Sequence, residues 1–214
     1  MTGGHTESRA RRTKMRLLAV FSLAAASLWP QPPVSSLTGR WRSTAVSSSG
    51  VSAIFEFGAE NRVDSYSAVI LEQNYRLAGT DTIILQSPTS REKKLELEWE
   101  NPDRAHIDYE PGGTSIPLAR ANRMPDPRNP ILGEWTTQRD WNGRKYPARA
   151  IFSAAGRVTW VIQLRSEHGR YTVRDRNLRL EIENRPAVEG EFTVAGEHLT
   201  LPGPQGGQMI FERF

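Results

Sequence analysis

From residue 37 onward, apolar and polar positions alternate with a period of two. "KLELEWE" sets Leu95, Leu97 and Trp99 against Glu96, Glu98 and Glu100. "NLRLEIE" sets Leu178, Leu180 and Ile182 against Arg179, Glu181 and Glu183. Such alternation predicts half-buried β-strands, because successive side chains on a strand point to opposite faces. "RVTWVIQL" (Arg157 to Leu164) is apolar almost throughout and predicts a strand covered on both faces. Turn residues recur between these runs: Ser48-Ser49-Gly50, Gly58-Ala59-Glu60-Asn61, Ala78-Gly79-Thr80-Asp81, Pro111-Gly112-Gly113, Asn142-Gly143, Ala195-Gly196-Glu197 and Gly203 to Gly207. Short strands broken this often predict an antiparallel meander, and no helical pattern competes with it outside the N-terminal leader.

The pattern occurs twice. "LTGRWRS" (from Leu37) and "ILGEWTT" (from Ile131) share Gly-x-Trp, with Trp41 and Trp135 94 positions apart. With the tryptophans aligned and small changes of loop length allowed, Phe57 falls on Phe152, Arg62-Val63 on Arg157-Val158, Tyr75 on Tyr171 and Arg120 on Arg213. Four matched stretches in order predict an internal duplication. The copies cover 31–124 and 131–214, joined by a Pro-rich linker, 125–130 ("PDPRNP"). Each has room for about eight short strands. A meander of that size hides its edges best by closing on itself, so the expected fold is all-β, two tandem eight-stranded antiparallel barrels; one larger shared sheet also fits the spacing.

Gly-x-Trp opening the first strand, a meander, and an Arg in the last strand resemble the lipocalin-like (calycin-type) small β-barrels of exported bacterial proteins. In that family the Trp plugs one barrel end and the late Arg lies across its ring. The resemblance therefore implies one closure from Gly39, Trp41 and Arg120 and another from Gly133, Trp135 and Arg213. A guanidinium over an indole gains roughly 0.5–2 kcal/mol from the cation–π contact.

Composition changes this picture in two places. The pI of about 9.7 suggests nucleic-acid binding until the charges are located. Arg9, Arg11, Arg12, Lys14 and Arg16 supply the excess; beyond residue 16 basic and acidic side chains balance, so no phosphate-tracking patch is expected. Those charges precede an apolar run from Leu17 to Leu28, small residues and prolines, the pattern of a secretory signal peptide with a short leader over 1–30. The run is too short to span a bilayer, and a periplasmic or secreted protein with no membrane span after cleavage is expected. The chain has no cysteine, which excludes disulfides and thiolate chemistry.

Candidate chemistry is sparse. His106 and His198 occupy similar places before late strands, in "AHIDY" and "EHLTL", which predicts a shared structural role rather than a metal site; His5 lies in the leader and His168 stands alone. The run Glu96, Glu98, Glu100 reads as a solvated strand face. There is no Gly-x-Ser-x-Gly elbow and no phosphate loop, so neither an enzyme nor a cofactor is expected. One loop stands out. "QRDWNGRKYP" (Gln138 to Pro147) is rich in the residue types that dominate contact energies, where the first copy has the bland "TAVSSSG". Arg139, Trp141, Arg144 and Tyr146 are the candidate ligand or partner rim. The first functional expectation is an exported, non-catalytic lipocalin-like binding protein for a small apolar molecule. The alternative is a protein-binding envelope module, such as a periplasmic protease inhibitor that uses Gln31 to Ser36.

Overall fold

The structure is a computed structural model that describes residues 36–87, 91–108, 115–122, 126, 128–203 and 207–214. The leader and signal sequence expected over 1–30, and most of Gln31 to Ser36, lie outside the described residues. Among the described residues, fifteen antiparallel strands form one sheet. They are β1 (Gly39–Val46), β2 (Val51–Phe57), β3 (Arg62–Leu77), β4 (Thr82–Gln86), β5 (Lys93–Asn101), β6 (Arg104–Asp108) and β7 (Ser115–Arg120) in the first copy. The second copy gives β8 (Gly133–Trp141), β9 (Arg144–Phe152), β10 (Arg157–Arg174), β11 (Asn177–Ile182), β12 (Val188–Glu191), β13 (Thr193–Ala195), β14 (His198–Pro202) and β15 (Gln208–Arg213). The all-β expectation holds, and the turns at Gly58 to Asn61, Asn142-Gly143 and Ala195 to Glu197 fall where turn chemistry put them.

Two strands are far longer than the rest. β3 has 16 residues and β10 has 18. They pair with each other from Arg157↔Asn74 to Arg170↔Arg62. Along the free side of β3, β2 takes Val63 to Val69 and β4 takes Asn74 to Leu77. Along the free side of β10, β9 takes Val158 to Ile162 and β11 takes Gly169 to Arg174. The sheet therefore curls in two places around one shared ladder. The strands β3 to β10 form a ring of eight. The others flank the remaining halves of the two long strands, β2–β1–β15–β14–β13 from β3 and β11–β12 from β10. They meet by packing, with Gly190 of β12 so near Pro202 of β14 that an added Cβ would lie 2.9 Å from the proline Cβ.

This corrects the expected boundary. Residues 31–124 and 131–214 do not close on themselves, and Gln31–Phe214 is one compact unit. One core joins Tyr75, Ile83, Leu97 and Leu118 of the first copy to Trp135, Phe152 and Trp160 of the second. The other joins Trp41, Phe55 and Phe57 to Tyr171, Leu180 and Phe211. Each copy gives its first part to one core and its last part to the other. The reason lies in β3, whose sequence has neither Gly nor Pro to turn the chain where a self-closed copy would need a corner. β10 passes the same point with a bulge between Gln163 and Arg165. "RVTWVIQL" sits at the centre, with Trp160, Val161 and Ile162 all at 1% exposure or less, so it is covered on both faces as its composition requires.

Candidate functional site

Each Gly-x-Trp tryptophan has an arginine across its ring, but the two arginines are exchanged relative to the expectation. Arg213, not Arg120, lies 4.1 Å over the Trp41 ring, and Arg120, not Arg213, lies 4.1 Å over Trp135. The exchange follows from the crossing of the copies, which brings β15 beside β1 and β7 beside β8. Each indole N–H donates to a main-chain carbonyl four residues earlier, Trp41 to Leu37 and Trp135 to Ile131, both at 2.7 Å. Arg120 also donates to the carbonyls of Pro102, Leu132 and Pro130, and its side chain is 1% exposed. Gly39 and Gly133 have φ of 120° and 108°, a backbone that side-chain-bearing residues rarely adopt.

Behind these plugs, the residues at the middle of each motif meet. Arg40 Nη2 is 2.6 Å from Glu134 Oε2. Arg149 reaches Glu134 at 3.0 Å and Glu56 at 3.2 Å, and Arg40 Nε is 3.4 Å from Glu56, closing a ring of four charges. The Tyr66 hydroxyl donates to Glu56 at 3.3 Å; burial, then the neighbouring carboxylate, pushes this phenol far above its ordinary pKa. Sequence reasoning missed this cluster. The available signal was the opposite charge at matching positions, Arg40 in one copy and Glu134 in the other.

The predicted rim is found on the β8–β9 hairpin, whose turn has Asn142 and Gly143 at φ 49° and 75°, as a type I′ turn requires. Three of its four residues turn inward. Arg139 lies 4.6 Å over the ring of Trp160, and Trp141 and Tyr146 pack against Val69, Ala148 and Ile162. Trp160 in turn donates to Gln73 Oε1 at 3.1 Å. Arg144 remains exposed at the hairpin tip. The group thus packs on the sheet at the end of β8 away from Trp135.

The concave surface lies beside that hairpin. β7 and β8 pair at Ala119↔Thr136 and Arg120↔Trp135, and the Thr136 hydroxyl donates to the Ala119 carbonyl at 3.1 Å. β8 stays with β9 out to Trp141↔Arg144, and β7 stays with β6 out to Asp108↔Ser115. Two cavities lie along the outer side of this junction. One of about 500 Å³ is lined by Glu100, Arg104, His106, Leu118, Thr136 and Gln138. The other, about 280 Å³, is lined by Ser115, Pro117, Gln138, Arg139, Asp140 and Lys145. His106 bridges two strands at the first, with Nδ1 3.3 Å from Ser115 Oγ and Nε2 on Glu100. Ser, His and Glu in line have the contact order of an activated nucleophile. Here Ser115 and Glu100 are exposed and His106 is only half-buried. The line is a hydrogen-bond ladder over the outer strand faces. His198 lies opposite Glu212 on β15. Among the described residues no three potential ligands cluster as a metal site would need.

No protein-family model, curated protein or solved structure matches the chain.

Proposed function

We propose that this chain is a non-catalytic binding module of the cell envelope, built from two exchanged lipocalin-like halves, that recognises a protein partner through the surface beside β7 and β8. The observation that carries the reading is where space is found. The interior of the β3–β10 ring is filled by Trp135, Trp160, Tyr75 and Phe152, all 6% exposed or less. The cavities beside β7 and β8 are open to the surface and mix polar side chains such as Glu100, Arg104 and Gln138 with apolar Pro117 and Leu118. A carrier of small apolar molecules needs an enclosed apolar chamber. A filled barrel with shallow, open cavities of mixed lining suits a macromolecular surface better. The leader pattern supports export.

Native mass spectrometry of the chain, purified without detergent, tests this. The bare chain mass is the expected result. An added small-molecule mass at high occupancy, lost on denaturation, would overturn the reading in favour of ligand carriage.

A further inference from the structure

We infer that the β3–β10 ladder, on its inner face beside the second core, carries a binding site for a small carboxylate, held by Arg165 and Arg185. The site is apart from the surface beside β7 and β8 and stands whether or not that surface takes a partner.

The duplication supplies an internal control. Where the ladder serves the first core, the inward register pairs are Trp160↔Leu71 and Ile162↔Val69. Their duplicates, counted from Arg62-Val63 on Arg157-Val158 and from Tyr75 on Tyr171, are Ser65↔Glu167 and Ser67↔Arg165. Two apolar pairs in one half are two polar pairs in the other. The neighbouring hairpins differ in the same sense. Trp141 and Tyr146 pack against the first set together with Ala148, which is 3% exposed. In the other copy Ser47 stands in the place of Trp141, and Thr44 to Gly50 are exposed throughout. Ala53, the duplicate of Ala148, is exposed as well. The same residue at the same position is covered in one half and open to solvent in the other.

Beneath Ala53 and Ser67 lie Ser65 and Glu167, 3% and 5% exposed. The fold does not itself require a charge here, since the duplicate of Glu167 is Leu71. Both carboxylate oxygens of Glu167 are buried and make no aligned hydrogen bond, so two ion pairs are their whole support. Arg165 Nη2 lies 2.7 Å from Oε1, and Arg185 Nη2 meets Oε2. Glu167 thereby gathers two guanidiniums from separate elements, β10 and the β11–β12 turn, whose side chains are 67% and 43% exposed. Neither arginine has another ion-pair partner among the described residues. The nearest acid along the ladder, Asp64, points to the opposite face, where His168 engages it at 2.6 Å. Two positive charges against one leave one positive charge unmatched. A guanidinium offers five N–H donors in a planar fork that suits a carboxylate, and each arginine spends only Nη2 on Glu167. The small side chains of Ala53, Ser65 and Ser67 leave room beside these donors.

An NMR titration of the isotope-labelled full chain with sodium acetate tests the site, with sodium chloride at equal ionic strength as the control. Acetate should give saturable shifts at the amides of Ser67, Arg165 and Glu167 that chloride does not reproduce. Arg165→Gln and Arg185→Gln, both at exposed positions, should each weaken acetate binding about tenfold. Arg144→Gln, at the exposed hairpin tip, should leave it unchanged. No saturable shift at those amides, the same shifts with chloride, or binding that survives both Arg165→Gln and Arg185→Gln would each overturn the inference.

Discussion

Arg40 and Glu134 occupy the same place in the two Gly-x-Trp stretches, and they meet 2.6 Å apart. A duplicated position thereby contacts its own duplicate, which requires the two copies to face each other across a pseudo-twofold relation. Neither side chain is more than 17% exposed. Removing one leaves the others of the four-charge ring under-compensated in a place of restricted solvation. Glu134→Ala should cost about 2–4 kcal/mol in urea unfolding. The pair Arg40→Met with Glu134→Leu should cost less than the two single changes summed. Strict additivity in that double-mutant cycle would show that the contact carries no coupling.

The crossing of the copies makes a sharper prediction. A protease site placed in the linker 125–130 should be cleavable without releasing two species. The nicked halves share both cores, so they should co-elute on size exclusion and separate only in denaturant. Two self-closed barrels would part on cutting or remain as independently folded pieces.

The closures are unequal. Arg120 is 1% exposed with three carbonyl acceptors, whereas the Arg213 side chain is 32% exposed and donates to the carbonyls of Thr38 and Ser36. Arg120→Ala should destabilise by about 2–4 kcal/mol and Arg213→Ala by about 1–2 kcal/mol, read by chemical denaturation. Equal losses would mean that the ring contact alone sets the cost.

His168 gives a pH signature of the long ladder. Its Nδ1 lies 2.6 Å from Asp64 Oδ1, across the register pair that joins β10 to β3. The hydrogen bond to Asp64, and then that carboxylate's charge, raises the imidazole pKa above its ordinary 6.5. A raised folded-state value means the contribution is present in full below that ordinary value and is lost as pH climbs through the folded one. An NMR titration should place the His168 midpoint above 6.5, and Asp64→Asn should lower it toward that value. Stability of the wild type relative to Asp64→Asn should shrink over the same interval.

Much of this fold was legible in the chain. Period-two alternation located the strands, glycine and asparagine located the turns, and the repeated Gly-x-Trp located both plugs. The exchange was not legible, because Phe57 or Leu180 must face inward whether its copy closes on itself or on the other. Only an absence hinted at it, the lack of a corner residue within β3. The loop around Trp141 drew attention for its composition, yet its aromatics serve the core. The surface beside it leaves almost no trace in composition, since it arises from the way β7 and β8 come together.

The shared ladder also dictates when the molecule can be finished. Of the described strands, β1 leaves the ribosome first and β15, its partner across Trp41↔Arg213, last. The second core cannot shut before β15 has emerged, so Trp41 waits through the synthesis of every strand between them for its lid.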